Sequence, residues 1–193
     1  MIKEYLKSRN LILASKSPRR QELLKSIGVT FEIRSNNIEE VYPKNLVRHE
    51  ISDYLAVLKA NPFKKKLNPE DLLITSDTIV WHQNNAIGKP KSTEDALEIL
   101  QNLSGSTHEV ITSVCLTSMK KQILIHCCTN VTFKILKEKE IIYYINNFNT
   151  TDKAGAYGIQ EWIGKIGIEK IEGCYYNVMG FPLNLVYENL LKF

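Results

Sequence analysis

Residues 11–28 read LILASKSPRRQELLKSIG, and this stretch predicts a strand, a turn and a helix in succession. The apolar run 11–14 has the length and composition of a short buried strand. Leucine and isoleucine side chains then recur at helical spacing. Ser17 fits the N-cap of this helix, Pro18 its first position and Gly28 its C-terminal stop.

The start of this helix carries Arg19 and Arg20, two cations at the positive pole of the helix dipole. Each exposed charge so placed costs about 0.3 to 1 kcal/mol. A bound anion would reverse that cost, because free backbone N–H groups and guanidinium groups suit a phosphate. The predicted helix 93–103 begins in the ordinary way instead, with Glu94 and Asp95 in its first turn. The alternative is that both arginines face solvent or pair with surface acids.

Helices and strands alternate along the rest of the chain without repeats. Further helices are predicted at 46–60, ending before Asn61-Pro62, and at 93–103, 138–147 and 182–191; further strands at 29–34, 72–81, 86–87, 108–118 and 122–136. This alternation predicts an α/β fold, with a mixed, twisted central sheet flanked by helices in a single domain over residues 1–193.

Composition excludes several classes of protein. The 193 residues carry a net charge of +4 and 44% hydrophobic residues, which argues against disorder and against a long nucleic acid as partner. Residues 1–10 lack the apolar core of a signal peptide, and no apolar run is long enough for a membrane span. The basic run Lys64-Lys65-Lys66 is interpreted as a solvated face. We expect a cytoplasmic protein with four reduced cysteines, Cys115, Cys127, Cys128 and Cys174.

An acidic residue interrupts an apolar run at Thr75-Ser76-Asp77-Thr78. If residues 72–81 form one buried strand, Asp77 needs a cation, a metal or several donors beside it, because an unpaired buried carboxylate is costly. The alternative is an aspartate that ends a strand at the surface.

Other isolated charges border predicted turns. Each of these is more often a surface residue, but together with Arg19, Arg20 and Asp77 they contain the groups that bind a metal-complexed polyphosphate: Glu39, Glu40, Lys59 and Lys89. Residues 158–165 do not form a P-loop, since five residues separate their glycines where four are required. The histidines are scattered in sequence, which gives little support to a histidine metal site or a catalytic triad: His49, His82, His108 and His126.

These segments resemble the motifs of the Maf proteins, nucleoside triphosphate pyrophosphatases related in fold to inosine triphosphatases. The matching residues are Leu11 through Arg20 with Glu22-Leu23-Leu24, Ser76 through Val80, Gly88-Lys89-Pro90, Leu103-Ser104-Gly105 with His108 and Val110, Asp152 through Gln160, and Gly173 through Asn177-Val178 to Pro182. They follow the family's order across nearly the whole chain. The resemblance implies an inosine-triphosphatase-like fold with two lobes around a cleft.

The resemblance also implies roles for individual residues. Asp77 is expected to be the catalytic proton acceptor, and Asp77 and Glu40 to carry a divalent cation, Mg²⁺ or Mn²⁺. Whether Asp77 acts as the base or mainly as a metal ligand stays open. The expected phosphate-binding residues are Arg19, Arg20, Lys59 and Lys89, with Ser15 and Glu40 nearby. The expected base-specificity residues are Arg19, Thr78 and Gln160.

The form Tyr157-Gly158-Ile159-Gln160 resembles the branch acting on dTTP and UTP, as opposed to the branch acting on 7-methyl-GTP. Modified pyrimidine triphosphates are expected as further substrates. A glutamine amide offers both a donor and an acceptor to the edge of a uracil or thymine ring. The sequence departs from the family's usual residues at Ser76, Ser113 and Cys174, and none of these changes removes a charge. The resemblance suggests a homodimer and a housekeeping role in the nucleotide pool.

Two other functions stay open from the sequence. One is a non-enzymatic, nucleotide-binding regulator of cell division or septum formation, which would bind without turnover. The other is a single-stranded nucleic-acid binder using Trp81, Trp162 and the run 64–66. These features lie far apart in sequence, which disfavours the nucleic-acid binder.

Overall fold

The computed structural model describes residues 2–35 and 37–193. Helices and strands alternate through these residues as the sequence predicts. In chain order they are α1 (Ile2–Tyr5), β1 (Asn10–Leu13), α2 (Pro18–Ser26), β2 (Glu32–Ile33), α3 (His49–Lys64), β3 (Asp71–His82), β4 (Asn85–Ile87), α4 (Thr93–Leu103), β5 (Thr107–Thr117), β6 (Gln122–Phe133), α5 (Glu138–Asn147), a 3₁₀ turn (Ala154–Ala156), α6 (Trp162–Gly167), β7 (Ile168–Glu172), α7 (Tyr175–Val178) and α8 (Leu183–Leu190).

The strands of the described residues form one mixed sheet. Its order is β2-β1-β3-β5-β6-β7, and β4 pairs with β3. Strand β1 runs parallel to β2 and β3, whereas β4 is antiparallel to β3 and β7 is antiparallel to β6. The predicted class, a mixed α/β sheet flanked by helices, is therefore confirmed.

The chain divides into two compact units. The first contains Met1–Asp77, Thr112–Cys127 and Gly180–Phe193, and the second contains Thr78–Ile111 and Cys128–Met179. Strands β3, β5 and β6 each contribute residues to both units. The single domain over residues 1–193, with two lobes around a cleft, stays a prediction.

Helix α3 differs from its predicted bounds because of packing in the first unit. The sequence predicted an end before Asn61-Pro62, yet the helix continues to Lys64 with Pro62 inside it. Continuation keeps Phe63 packed against a buried cluster that includes Ala60. Phe63 is partly buried there, and the apolar area it removes from water offsets part of the cost of the proline.

The core of the second unit lies around two amphipathic helices. Helix α4 packs against α5, and their buried faces include Leu100 and Tyr144. Helix α4 starts at the predicted N-cap Ser92, whose hydroxyl accepts from Asp95 N at 3.2 Å. These two helices have the predicted bounds, because their caps and apolar periodicity are local in sequence.

Three further predictions have different outcomes. The predicted hairpin after residue 81 is confirmed, with Gln83 and Asn84 at positive φ in its turn. The predicted strand 29–34 is wrong in length, since only Glu32–Ile33 pairs. All four cysteines are reduced, as expected. Among residues 2–35 and 37–193, no helix has the length and apolar character needed to cross a membrane.

Candidate active site

The first part of the site lies where the parallel pairing of β1 with β3 ends, at the carboxyl end of β1 and in the middle of β3. Strands β1 and β3 pair up to Leu13 and Ile74, and the N–H of Ala14 continues the ladder to Ile74 O at 2.9 Å. Ser15 and Asp77 follow directly after this paired segment, both in the first unit. In open α/β sheets, ligands bind outside the carboxyl ends of parallel strands.

A lysine lies between two carboxylates close to the end of the paired segment. Lys59 Nζ is 2.5 Å from Asp77 Oδ1 and 2.9 Å from Glu40 Oε1. Asp77 is buried, with 5% of its surface exposed, whereas Glu40 is exposed. The predicted need of Asp77 for a cation is therefore met by Lys59, and the alternative of a surface aspartate is wrong.

One hydrogen bond fixes the helix that carries this lysine. The hydroxyl of Thr75 on β3 donates to Ala56 O on α3 at 2.7 Å, and both residues are buried. Thr75 and Asp77 are two residues apart on the strand and so point to the same face. Because Lys59 lies one turn beyond Ala56 on α3, this bond holds the lysine at the level of Asp77.

Burial and charge act in opposite directions on the acid. Burial raises the pKa of Asp77 above its ordinary value, and the nearby Glu40 carboxylate raises that pKa further. The cations of Lys59 and Arg20 lower the pKa of Asp77, but burial is the larger effect. Asp77 is thus a stronger proton acceptor than an exposed aspartate.

Arg20 joins the start of α2 to β3. Its Nη1 donates to Ser76 O at 2.9 Å and its Nε donates to Gly180 O at 2.8 Å. Burial lowers the pKa of Arg20, and the charge of Asp77 opposes that change. Arg20 is partly buried and bonded to backbone carbonyls, and the carboxylates of Asp77 and Glu40 both act on its charge. Its role toward a phosphate stays a prediction.

The loop before α2 has the predicted capping geometry. Ser17 is the N-cap, and its hydroxyl accepts from Arg20 N at 3.5 Å. The buried Ser15 hydroxyl accepts from Ser17 N at 3.2 Å, so Ser15 shapes the turn that leads into the helix. Arg19 follows in the first turn and is partly buried.

The second unit holds the other predicted site residues. Thr78 directly follows Asp77 in the chain and is partly buried, and Lys89 is exposed in the Gly88-Lys89-Pro90 turn. Gln160 is partly buried, and its side-chain oxygen Oε1 is fully buried with no hydrogen-bond partner among the described residues. An unpartnered buried acceptor is costly, and it fits a group that receives a hydrogen bond from a ligand.

A buried network fixes the loop that carries Gln160. The Tyr144 hydroxyl donates to Glu161 Oε2 in a short hydrogen bond and accepts from Gly158 N at 3.0 Å. Lys153 Nζ is 3.0 Å from Glu161 Oε1 and neutralises its charge. Burial and Glu161 raise the pKa of Tyr144, which keeps the hydroxyl protonated as a donor. Tyr144 and Glu161 were not predicted from the sequence. A tyrosine on the apolar face of a helix does indicate a buried hydroxyl that needs a hydrogen-bond partner.

The histidines are less scattered in space than in sequence. The rings of His49 and His126 lie 4.4 Å apart between centroids, at the surface of the first unit. His108 is buried in the second unit and bonds the Tyr157 hydroxyl at 2.7 Å. Two histidines that are far apart in sequence therefore lie next to each other in the structure.

Comparisons with known proteins agree on one family. The model of Maf-like proteins matches residues 10–193. A dTTP/UTP pyrophosphatase of Flavobacterium johnsoniae is 53% identical over 190 residues, which cover 98% of this chain and 98% of the relative. Another protein of that name, from Bacteroides fragilis, is 47% identical over 93% of this chain and 94% of its own length.

Solved structures show the same fold at low identity. The Ham1 protein of Staphylococcus aureus has a TM-score of 0.54 and 16% identity, covering 94% of this chain and 98% of that chain. A HAM1 protein of Coxiella burnetii has a TM-score of 0.51 and 11% identity, covering 96% and 100%. These likenesses concern the fold alone. The family match and the identity over nearly the full length establish that this chain belongs to the Maf family.

Proposed function

We propose that this chain is a nucleoside triphosphate pyrophosphatase that hydrolyses dTTP, UTP and modified pyrimidine triphosphates to the monophosphate and pyrophosphate. The relatives named dTTP/UTP pyrophosphatase support the substrate class. The observation that carries the proposal is the buried carboxylate of Asp77 beside the amine of Lys59. A housekeeping role in the nucleotide pool follows from this activity.

Asp77 accepts the proton of the attacking water in this proposal. The water oxygen forms a bond to the α-phosphorus, and the bond from that phosphorus to the oxygen bridging to the β-phosphate breaks. Pyrophosphate leaves with the bridging oxygen. Burial supports this role because it raises the pKa of Asp77 toward the pH at which a general base is effective.

The donor set also fits a divalent cation. Asp77 and Glu40 present carboxylate oxygens around one cationic position, now taken by Lys59 Nζ. Oxygen ligands of this kind suit Mg²⁺ or Mn²⁺, and a bound ion would neutralise charge on the triphosphate. Asp77 and Glu40 would then hold the metal, and Lys59 would turn to a phosphate oxygen.

Gln160 supplies base recognition in this proposal. A rotation of its side chain that uncovers the buried, unpartnered Oε1 lets that oxygen accept the N3–H of a uracil or thymine ring. The amide would thereby gain the hydrogen bond that it lacks in the free protein, which favours bases with a donor at that position. Thr78 and Arg19 are proposed as further specificity residues, and Arg19, Arg20, Lys89 and Ser15 as phosphate-binding residues.

The test is pyrophosphate release from dTTP and UTP by Asp77→Asn. Loss of a general base lowers turnover by about 10² to 10⁴-fold, so kcat should fall by at least the lower figure. The matched control is Asp71→Asn, on the same strand and equally buried, whose carboxylate accepts from Asn68 N at 2.9 Å and has no assigned catalytic role. At temperatures below that of unfolding, the kcat of this control should stay within a few-fold of the value for the unmodified protein.

Near-normal turnover by Asp77→Asn would overturn the role of that residue. Nucleotide binding by the unmodified protein without any pyrophosphate release would overturn the enzymatic proposal and favour the regulator. Stronger turnover of 7-methyl-GTP than of UTP would overturn the assignment of Gln160.

A further inference from the structure

Three potential metal ligands meet at the surface of the first unit. One ligand atom from each of His49, Asp53 and His126 lies within 4.8 Å of the other two. His126 Nδ1 is 3.4 Å from Asp53 Oδ2, and both histidines are exposed, so an ion can reach them from solvent.

Two regular elements supply these ligands. His49 and Asp53 are four residues apart in the first turns of α3, which places them on one face of the helix. His126 projects from β6. Sites built on a helix and a strand hold their ligands more firmly than sites built on loops.

Serine hydroxyls orient the carboxylate of this cluster. The buried Ser113 donates to Asp53 Oδ1 at 2.6 Å, which leaves Oδ2 toward His126. Ser113 is in turn 2.7 Å from the hydroxyl of Ser52, and Ser52 donates to His49 O at 3.1 Å. Groups that fix the orientation of metal-binding side chains in this way are typical of metal sites.

We propose that His49, Asp53 and His126 form a site for a divalent transition-metal ion of the zinc class. Two imidazole nitrogens and one carboxylate oxygen select Zn²⁺ and similar ions over Mg²⁺, which prefers oxygen ligands alone. The remaining coordination positions face solvent. The bound ion links the start of α3 to β6.

The spacing needs only small side-chain movements. Four ligands at 2.0 to 2.1 Å from zinc in a tetrahedron lie about 3.3 Å from one another. The contact between His126 and Asp53 is already 3.4 Å. Rotation of the exposed imidazoles closes the remaining separations of up to 4.8 Å.

This site shares no ligand with the carboxylates proposed for the nucleotide. Asp53 and Lys59 lie on the same helix, six residues apart, which corresponds to about 9 Å along the axis and about 120° around it. Zinc binding can therefore be measured while the Asp77 cluster is saturated with Mg²⁺.

The experiment titrates metal-free protein with Zn²⁺ in excess Mg²⁺, using isothermal calorimetry. One Zn²⁺ per chain is expected to bind, and the thermal midpoint is expected to rise. His49→Gln and His126→Gln, both at exposed positions, should weaken Zn²⁺ binding by more than tenfold. Ser113→Ala should weaken it by roughly tenfold through the orientation of Asp53.

The control is Cys128→Ser. Cysteine thiolates are zinc ligands in general, and this exposed cysteine lies two residues from His126 in the sequence. Its affinity for Zn²⁺ should equal that of the unmodified protein. Co²⁺ bound at the proposed site should show no thiolate charge-transfer absorption. Absence of Zn²⁺ binding, unchanged affinity in both histidine variants, or loss of binding in Cys128→Ser would each overturn the proposal.

Discussion

Replacing Gln160 by methionine should stabilise the protein and impair its recognition of a pyrimidine base. Methionine has nearly the same shape as glutamine but carries no amide. In the free protein, Gln160 Oε1 is buried and has no hydrogen-bond partner among residues 2–35 and 37–193. The substitution removes that unsatisfied acceptor, and it also removes the proposed acceptor for the base.

The size of both effects follows from the cost of one unsatisfied buried group. That cost is about 1 to 3 kcal/mol, and Gln160→Met should raise the free energy of unfolding by up to this amount. For a chain of 193 residues, each kcal/mol raises the Tm by about 2 to 4 °C. The same 1 to 3 kcal/mol, lost from the transition state for UTP, lowers kcat/KM by roughly 5- to 150-fold.

The assay compares UTP with its N3-methyl analogue, which lacks the N3–H donor. The unmodified protein should prefer UTP, whereas Gln160→Met should turn over both nucleotides with similar kcat/KM. Thermal unfolding without nucleotide measures the stability change. Gln101→Met, on the exposed face of α4, is the control and should change neither the Tm nor the preference.

Two results would refute the role of Gln160. A Gln160→Met variant that still discriminates between UTP and its N3-methyl analogue would show that another group receives the N3–H. A fall in Tm would show that the amide oxygen has a structural partner in the free protein.

Two further predictions concern the pH profile and the buried tyrosine. In the proposed mechanism, activity requires deprotonated Asp77. Burial raises the pKa of Asp77, Lys59 lowers it and Glu40 raises it further. Lys59→Met should therefore move the acidic limb of the kcat–pH profile to higher pH and Glu40→Gln to lower pH. Shifts of equal sign would contradict the assignment of that limb to Asp77. Tyr144→Phe leaves Gly158 N without its buried acceptor, so unfolding should become easier by about 1 to 3 kcal/mol and KM for UTP should rise with kcat nearly unchanged. Chemical denaturation and steady-state kinetics measure these effects, and an unchanged KM would count against a positioning role.

Local signals predicted the parts of the fold that depend on neighbouring residues. Capping serines and periodic apolar residues located the starts of α2 and α4, because the groups that end a helix lie next to it in sequence. Strand β7 was missed because it is mostly exposed and pairs with β6, some forty residues earlier. Its place in the sheet depends on a long-range partner that no local pattern identifies.

The site residues also divide into those that a local pattern predicts and those that depend on long-range packing. A carboxylate within an apolar strand was enough to predict that a buried Asp77 needs a cation, a metal or several donors beside it, because burial makes an unpaired charge costly. The sequence itself did not identify the cation, since Lys59 reaches Asp77 only through the packing of α3 on β3. The family resemblance named Lys59, but as a phosphate ligand and not as the partner of Asp77.

Arg20 shows why an unfavourable local charge need not indicate a ligand. Its position at the positive pole of α2 costs about 0.3 to 1 kcal/mol. Hydrogen bonds from a charged donor contribute about 1.5 to 3 kcal/mol each, and those of Arg20 include bonds to Ser76 O and Gly180 O. These bonds exceed the dipole cost. The helix dipole alone therefore gives no reason to expect a phosphate at Arg20, and its proposed phosphate role depends on its closeness to Asp77, whose charge acts directly on the guanidinium.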